Sequence, residues 1–240
     1  MKKRLEGKTV IVVGATGGIG RVLSRVFHQL GANVVLAARG MDKLKLLEGE
    51  LSSDRVLVVQ ADATQISDVR RLFQLAQDRF KEVHCVVISA GTWERLSLRN
   101  SVEEALESAE KLFRSIFLPS YVVGFMAQEF FRRQGFGLIA NISSHAAIRP
   151  WLLGNLSYAA MKAAARQFIL ALRHELREMG VTVIDIQPAI VNTPEAADLL
   201  NTEVKKRKAV QPELIADLIA SLIGRKRVPA EVLLDSKLKL

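Results

Sequence analysis

Tyr158-Ala-Ala-Met-Lys162 puts a phenol and an ammonium four residues apart, on one face of any helix that carries them. A free phenol titrates near pH ~10, and a neighbouring ammonium favours its anion, so such a pair could hold and release a proton. By itself the spacing also describes a packed aromatic beside a solvated lysine. Far upstream, Gly14-Ala-Thr-Gly-Gly18-Ile-Gly20 follows the apolar run Val10 to Val13. Gly14 permits a tight turn there, Gly18 lets the backbone approach a ligand, and Gly20 allows the following helix to pack closely. A helix opening after that turn offers unpaired N–H groups and the positive end of its dipole to a pyrophosphate.

The rest of the chain reads as what is needed to bring these two motifs together. Apolar strands alternate with helical patterns from start to end, without repeats or low-complexity tracts. Strands are expected at Val10 to Val13, Val34 to Ala38, Val56 to Gln60, Val83 to Ile88, Phe136 to Ile142, Val181 to Ile186 and Val232 to Asp235. Helices are expected at Gly18 to Leu30, Met41 to Leu51, Ile66 to Phe80, Leu156 to Met179 and Glu213 to Ile223. A long helical stretch from about Ser101 to Arg133 should be kinked or divided by Pro119. Strands that are apolar throughout suit a parallel sheet covered on both faces, so the expected fold is a Rossmann-like, doubly wound, three-layer α/β/α sheet of about seven strands. In such a sheet ligands lie beyond the carboxyl ends of the strands, near the switch in strand order.

The totals set further bounds. A chain of 240 residues with 49% hydrophobic content suits one domain spanning residues 1–240. No apolar run is long enough to span a bilayer, and Met1 to Glu6 leads straight into a strand, so a soluble, cytoplasmic protein with no membrane partner is expected. The single cysteine, Cys85, reads as a buried core thiol. His28, His84, His145 and His174 show no metal-ligand spacing, and no metal is expected. The net charge of +9 raises the question of an anionic partner. The basic clusters Lys2 to Arg4, Lys205 to Lys208 and Arg225 to Arg227 are dispersed and lack interleaved aromatics, so a nucleic-acid partner would rest on charge alone.

Together and in this order, the glycine turn, Asn141-Ile-Ser-Ser144 and Tyr158-x-x-x-Lys162 resemble the short-chain dehydrogenase/reductase family, over nearly the whole chain to about Pro194. The resemblance implies an oxidoreductase that moves a hydride between a nicotinamide cofactor and a carbonyl or secondary alcohol, with Tyr158 as general acid and base. It implies that Lys162 assists Tyr158 and holds the nicotinamide ribose, and that Ser144, with Ser143 as fallback, hydrogen-bonds the substrate oxygen. The family's asparagine in the preceding long helix is missing; Ser115, or Ile116 if the match slips by one, stands at that position and could hold the water of a proton relay.

On the cofactor side the implied contacts are Gly14, Thr16, Gly17, Gly18, Ile19 and Gly20 in the turn, and Asp62 and Ala63 after the third strand. Asp62 would contact adenine, cap the next helix, or do both. Ser89, Ala90 and Gly91 follow the fourth strand, with serine in place of the family's asparagine. Pro188, Ala189, Val191 and Thr193 resemble the loop over the nicotinamide; alanine replaces the usual glycine at Ala189, which suggests negative φ there or modest strain. Ala38 cannot bind ribose hydroxyls as an acid would, whereas Arg39 can pair with a 2′-phosphate. NADP(H) is therefore preferred, with NAD(H) possible. A short substrate lid at about 194–211 leaves the cleft open, and Trp93, His145, Trp151, Leu152 and Leu153 would wall it for a bulky apolar carbonyl compound. Lys205 to Lys208 could meet an anionic carrier. A homodimer through the long helices is expected ahead of a homotetramer. The alternative is a non-catalytic nucleotide-binding regulatory or scaffold protein on the same fold.

Overall fold

In the computed structural model the described residues are 4–149, 154–199 and 209–235. Seven strands form one sheet: β1 (Thr9–Val13), β2 (Asn33–Ala38), β3 (Val56–Gln60), β4 (Cys85–Ile88), β5 (Gly137–Ile142), β6 (Val181–Pro188) and β7 (Glu231–Leu234). Their order is β3-β2-β1-β4-β5-β6-β7, and every pairing is parallel. The order reverses between β1 and β4, which places the crevice for a ligand beyond their carboxyl ends. The Rossmann-like α/β fold expected from the sequence is the one observed.

The helices are α1 (Gly18–Gln29), α2 (Met41–Leu51), α3 (Ile66–Phe80), α4 (Val102–Leu112), α5 (Leu118–Gln134), α6 (Leu156–Leu176) and α7 (Pro212–Leu222). Side chains alternate across each strand, so each face of the sheet acquires its own core. Val10, Val12, Val34, Leu36, Ile184 and Ile186 pack under Leu23 and Phe27 of α1, Leu44 of α2 and Ile215 of α7. Ile11, Val35, Val86, Ile139 and Val183 face Phe73 of α3, Phe131 of α5 and Ile169 of α6. Both faces being covered explains why these strands are aliphatic throughout.

The stretch expected to be divided at Pro119 is divided in a specific way. Ser101 caps α4, accepting from the Glu104 N–H while the Glu104 carboxylate takes the Ser101 N–H. The chain then widens into a single π turn, Phe113–Phe117, before α5 begins with Pro119 in its first turn. Proline lacks the N–H that a helix would use to bond a carbonyl of the preceding turn; in a first turn that loss costs little. Several ends differ from expectation. β4 starts at Cys85 rather than Val83, and α6 stops at Leu176 rather than Met179. β6 continues through Gln187 and Pro188, because both residues pair with β7; Pro188 gives up only a donor.

Candidate active site

The glycine turn has the shape its spacing requires. Gly14 has φ +84°, and a Cβ there would sit 2.9 Å from the Ala90 nitrogen, so the turn and the segment after β4 meet backbone to backbone. A Cβ on Gly20 would come 2.1 Å from the Gly14 carbonyl oxygen, so α1 packs onto the turn itself. Gly17 stands at the N-cap of α1 with no side chain to cap it, leaving first-turn N–H groups for an anion. Ile19 packs its side chain against the core and offers only its backbone. Thr16 lines a shallow depression together with Arg21 and Lys43, so cations flank the outer side of the turn.

An anion already stands at this helix end. Glu195, in the short turn Pro194–Leu199, accepts a hydrogen bond from the Gly18 N–H at 3.0 Å. A Cβ on Gly18 would meet the other carboxylate oxygen at 2.1 Å and Thr193 Cβ at 2.6 Å. The carboxylate stands in for a phosphate oxygen, and the cradle fits such a group. Sequence reasoning missed Glu195, since no local pattern signals a contact across 177 residues. Thr193, expected near the nicotinamide, lies against the same helix end. Val191 is buried and bridges Val210, Pro188 ends β6, and Ala189 is absent from the residues of positive φ, in keeping with the negative φ expected there.

Arg39 is exposed just after β2, its carbonyl taken by Gln60 Nε2 at 2.9 Å. Asp62 Oδ1 accepts from the Thr64 N–H at 2.9 Å and the Thr64 hydroxyl at 2.8 Å. The N-cap of α3 is Gln65, so Asp62 shapes the turn before the helix and does not cap it as the sequence had allowed. Ala63 and Ala90 pack against the core. Ser89 spends its hydroxyl on the Val13 carbonyl at 2.8 Å, tying β4 to β1 under the switch point.

At the other end, Ser144, Tyr158 and Lys162 converge. Burial pushes the Tyr158 phenol up, while a hydrogen bond with Ser144 acts the opposite way. Ser144 Oγ also accepts from the Ala146 N–H at 3.2 Å, fixing the hydroxyl at the start of a 3-10 turn. Lys162 is buried and donates to the Ile142 carbonyl at 3.0 Å, with its ammonium 5.8 Å from the Tyr158 ring centre. Burial pushes Lys162 down to about 8, and the Asp185 carboxylate acts upward on it. Ser143, the fallback, points elsewhere: its hydroxyl is 2.5 Å from Asp185. Ser115 Oγ lies 3.0 Å from Thr92 Oγ1, so its hydroxyl is partnered. A Cβ on Gly91 would lie 3.6 Å from Lys162 Nζ and 3.8 Å from the Ser115 carbonyl, so Gly91 keeps open the space these two groups share. Ile116, the alternative position, is buried in a small cluster with Leu112 and Ala165.

Of the expected walls, Trp93 donates to Asn155 Oδ1 at 3.1 Å, and His145 buries an Nε2 without a hydrogen-bond partner among the described residues. Burial holds the His145 imidazole below its usual range. Trp151, Leu152, Leu153 and the basic run Lys205 to Lys208 lie outside the described residues. No group of three or more His, Cys, Asp or Glu among the described residues could hold a metal ion, and none of the described helices is long and apolar enough to cross a membrane. Cys85 is buried, and burial drives its thiol far up.

The short chain dehydrogenase family matches residues 8–204. Among curated proteins, an uncharacterized oxidoreductase of Staphylococcus aureus strain MRSA252 is 32% identical over 215 residues, covering 90% of each chain. A Staphylococcus haemolyticus counterpart is 29% identical over the same length. Among solved structures, a 3-ketoacyl-(acyl-carrier-protein) reductase from Brucella melitensis, complexed with NADH, superposes with a TM-score of 0.85 at 23% identity, covering 97% of this chain and 98% of its own. An alcohol dehydrogenase from the archaeon Thermococcus sibiricus, complexed with 5-hydroxy-NADP, gives 0.79 at 24% identity, with 96% and 97% covered. These likenesses at low identity concern the fold, whereas the family match and the Staphylococcus relatives reach the sequence itself: the chain belongs to the short-chain dehydrogenase family.

Proposed function

We propose that this chain is an NADP(H)-dependent oxidoreductase interconverting a carbonyl compound and a secondary alcohol, with Tyr158 as general acid and base. One observation carries the reading: the two motifs form a single site. The glycine turn abuts Ala90, and the next residue, Gly91, abuts the Lys162 ammonium. When bound, the nicotinamide would supply or receive the hydride. Gly14 to Gly20 would hold the pyrophosphate, and Lys162 the nicotinamide ribose. Ser144 would donate to the substrate oxygen as charge develops there. Tyr158 would give its proton to that oxygen in reduction and take it back in oxidation. The Lys162 ammonium lowers the cost of the phenolate left behind. The Ser115 carbonyl lies on the Lys162 side of the site.

The names of the structural neighbours support carbonyl–alcohol chemistry, and they include a 7 alpha-hydroxysteroid dehydrogenase complexed with NADH and 7-oxo glycochenodeoxycholic acid, with a TM-score of 0.84 at 22% identity. Because they carry NADH as well as an NADP derivative, the cofactor preference rests on this chain's own Arg39 and Ala38. Trp93 and His145 support a bulky apolar substrate. A homodimer through α4, α5 and α6 is part of the same reading, supported by the exposed Phe113 in the π turn and the exposed Tyr121 and Phe125 on α5. A nucleotide-binding protein without turnover is the second reading, favoured by serine at position 115 and by the Glu195 carboxylate in the phosphate cradle. Incubating the protein with NADPH and a panel of bulky ketones and aldehydes, while following NADPH loss by ultraviolet absorbance, separates the two. Turnover on at least one carbonyl supports the enzyme; NADPH binding without turnover on any supports the second reading.

A further inference from the structure

At the carboxyl ends of β5, β6 and β7, the sheet face under α5 and α6 changes from aliphatic to polar. Ile139 gives way to Asn141 and Ser143, and Val183 to Asp185 and Gln187. Parallel pairing sets Asn141 beside Asp185 and Asp185 beside Glu231, one row across three strands. Asp185 is fully buried. Its carboxylate accepts from Asn141 Nδ2 at 2.7 Å, Ser143 Oγ at 2.5 Å and Gln187 Nε2 at 3.0 Å. The amide of Gln187 also donates to Glu231, which is paired with Arg166 Nε at 2.5 Å. Asn141 has its own oxygen 3.0 Å from the Ser120 hydroxyl, which accounts for its orientation. Burial pushes the Asp185 carboxyl up, while the hydrogen bonds from Ser143, Asn141 and Gln187 and the charge of Lys162 act the opposite way, toward the ionised form.

A buried carboxylate costs several kcal/mol unless a cation balances it. Arg166 serves Glu231 at the outer end of the row. The cation whose charge acts on Asp185 is Lys162, held on the carbonyl of Ile142, which lies between Asn141 and Ser143, the two residues on this side that bind Asp185. We propose that Asp185 is a positioning residue for the proton chemistry: its carboxylate is the nearby counter-charge that keeps the Lys162 ammonium charged beside Tyr158. This rests on the assignment of Tyr158 and Lys162 above. The other ionisable groups here are Tyr158 and Arg166 on α6, Glu231 on β7, and His145 after β5; Ser120 of α5, Asn141 of β5 and Ser143 just after it are neutral. Burial already weakens the hold of Lys162 on its proton, and Asp185 opposes that. With a neutral residue at 185, the amine loses its proton at lower pH and no longer supports the phenolate.

The direct test is an NMR titration of isotope-labelled lysine Cε, with the Lys162 signal identified by its disappearance in Lys162→Met. In Asp185→Asn the Lys162 midpoint should fall from about 8 by at least about one pH unit, a tenfold loss of proton affinity. The alkaline limb of the carbonyl-reduction rate should move down with it, while NADPH affinity well below that limb stays as in wild type. Asp185→Glu should restore part of both shifts. Asp185→Thr, neutral and at home in a strand, replaces Asp185→Asn if the extra amide hydrogens unfold it. An unchanged Lys162 midpoint in a folded neutral variant overturns the proposal, as does a rate lowered equally at every pH. If the midpoint moves but Tyr158→Phe turns over like wild type, the counter-ion relation stands and the assignment of Tyr158 falls.

Discussion

Under the proposed function, Arg39 would decide the choice of cofactor. It is exposed at the carboxyl end of β2, beside an alanine that cannot bind ribose hydroxyls. Arg39→Ala should weaken NADPH by about 2 kcal/mol, the scale of a charge-assisted hydrogen bond, and leave NADH nearly unchanged. Fluorescence titration of both cofactors measures this; equal losses would remove Arg39 from the phosphate site. His84 acts on stability. It is buried, its Nδ1 accepts the Thr9 N–H at 3.2 Å, and burial pushes it down to about 4. Since the unfolded chain binds this proton at higher pH than the folded one, stability should fall as pH drops from about 6.5 to 4, by up to roughly 3 kcal/mol. Urea unfolding across that range should show the loss, and His84→Asn should reduce it. Tyr158, Lys162 and Ser144 were legible because their spacing is local or family-wide. Asp185 was not, because an acid inside an apolar run acquires meaning only when β5 and β7 flank it.

Among the elements, the interiors of α2, α3 and β3 were readable to the residue, since periodicity and turn residues fix them locally. The ends that moved are set by partners. β6 is prolonged by pairing with β7, and the π turn between α4 and α5 depends on Pro119 meeting a helix already in progress. The segment after β6 is the least legible, yet it delivers Glu195 to the first turn of α1. Under the proposed function a cofactor pyrophosphate would compete with this carboxylate for the same N–H groups and be repelled by it. Glu195→Gln should therefore tighten NADPH roughly three- to tenfold, about 1 kcal/mol, by removing the charge while keeping the side chain's size. Isothermal titration calorimetry on both proteins tests this, and weaker binding in the variant would mean that Glu195 helps to hold the cofactor.

Taken as a whole, the molecule presents one aromatic face that its own fold leaves uncovered. Phe113, Tyr121 and Phe125 are 40%, 40% and 46% exposed, and with Phe117 and Phe168 they form a continuous ring cluster on α5, α6 and the π turn between α4 and α5. A second copy would bury these rings, so Phe125→Glu should convert a dimer to monomer in sedimentation velocity; a wild-type monomer would remove this face as the interface. The sheet brings the glycine turn and the Tyr158–Lys162 pair together at its switch point, and under the proposed function turnover would depend on that meeting. The most direct test compares wild type with Tyr158→Phe, which keeps the ring and its packing but removes the proton. NADPH affinity should be unchanged while the rate of carbonyl reduction falls by about 10²- to 10⁴-fold; a variant that binds NADPH normally and reduces carbonyls at the wild-type rate would contradict the account.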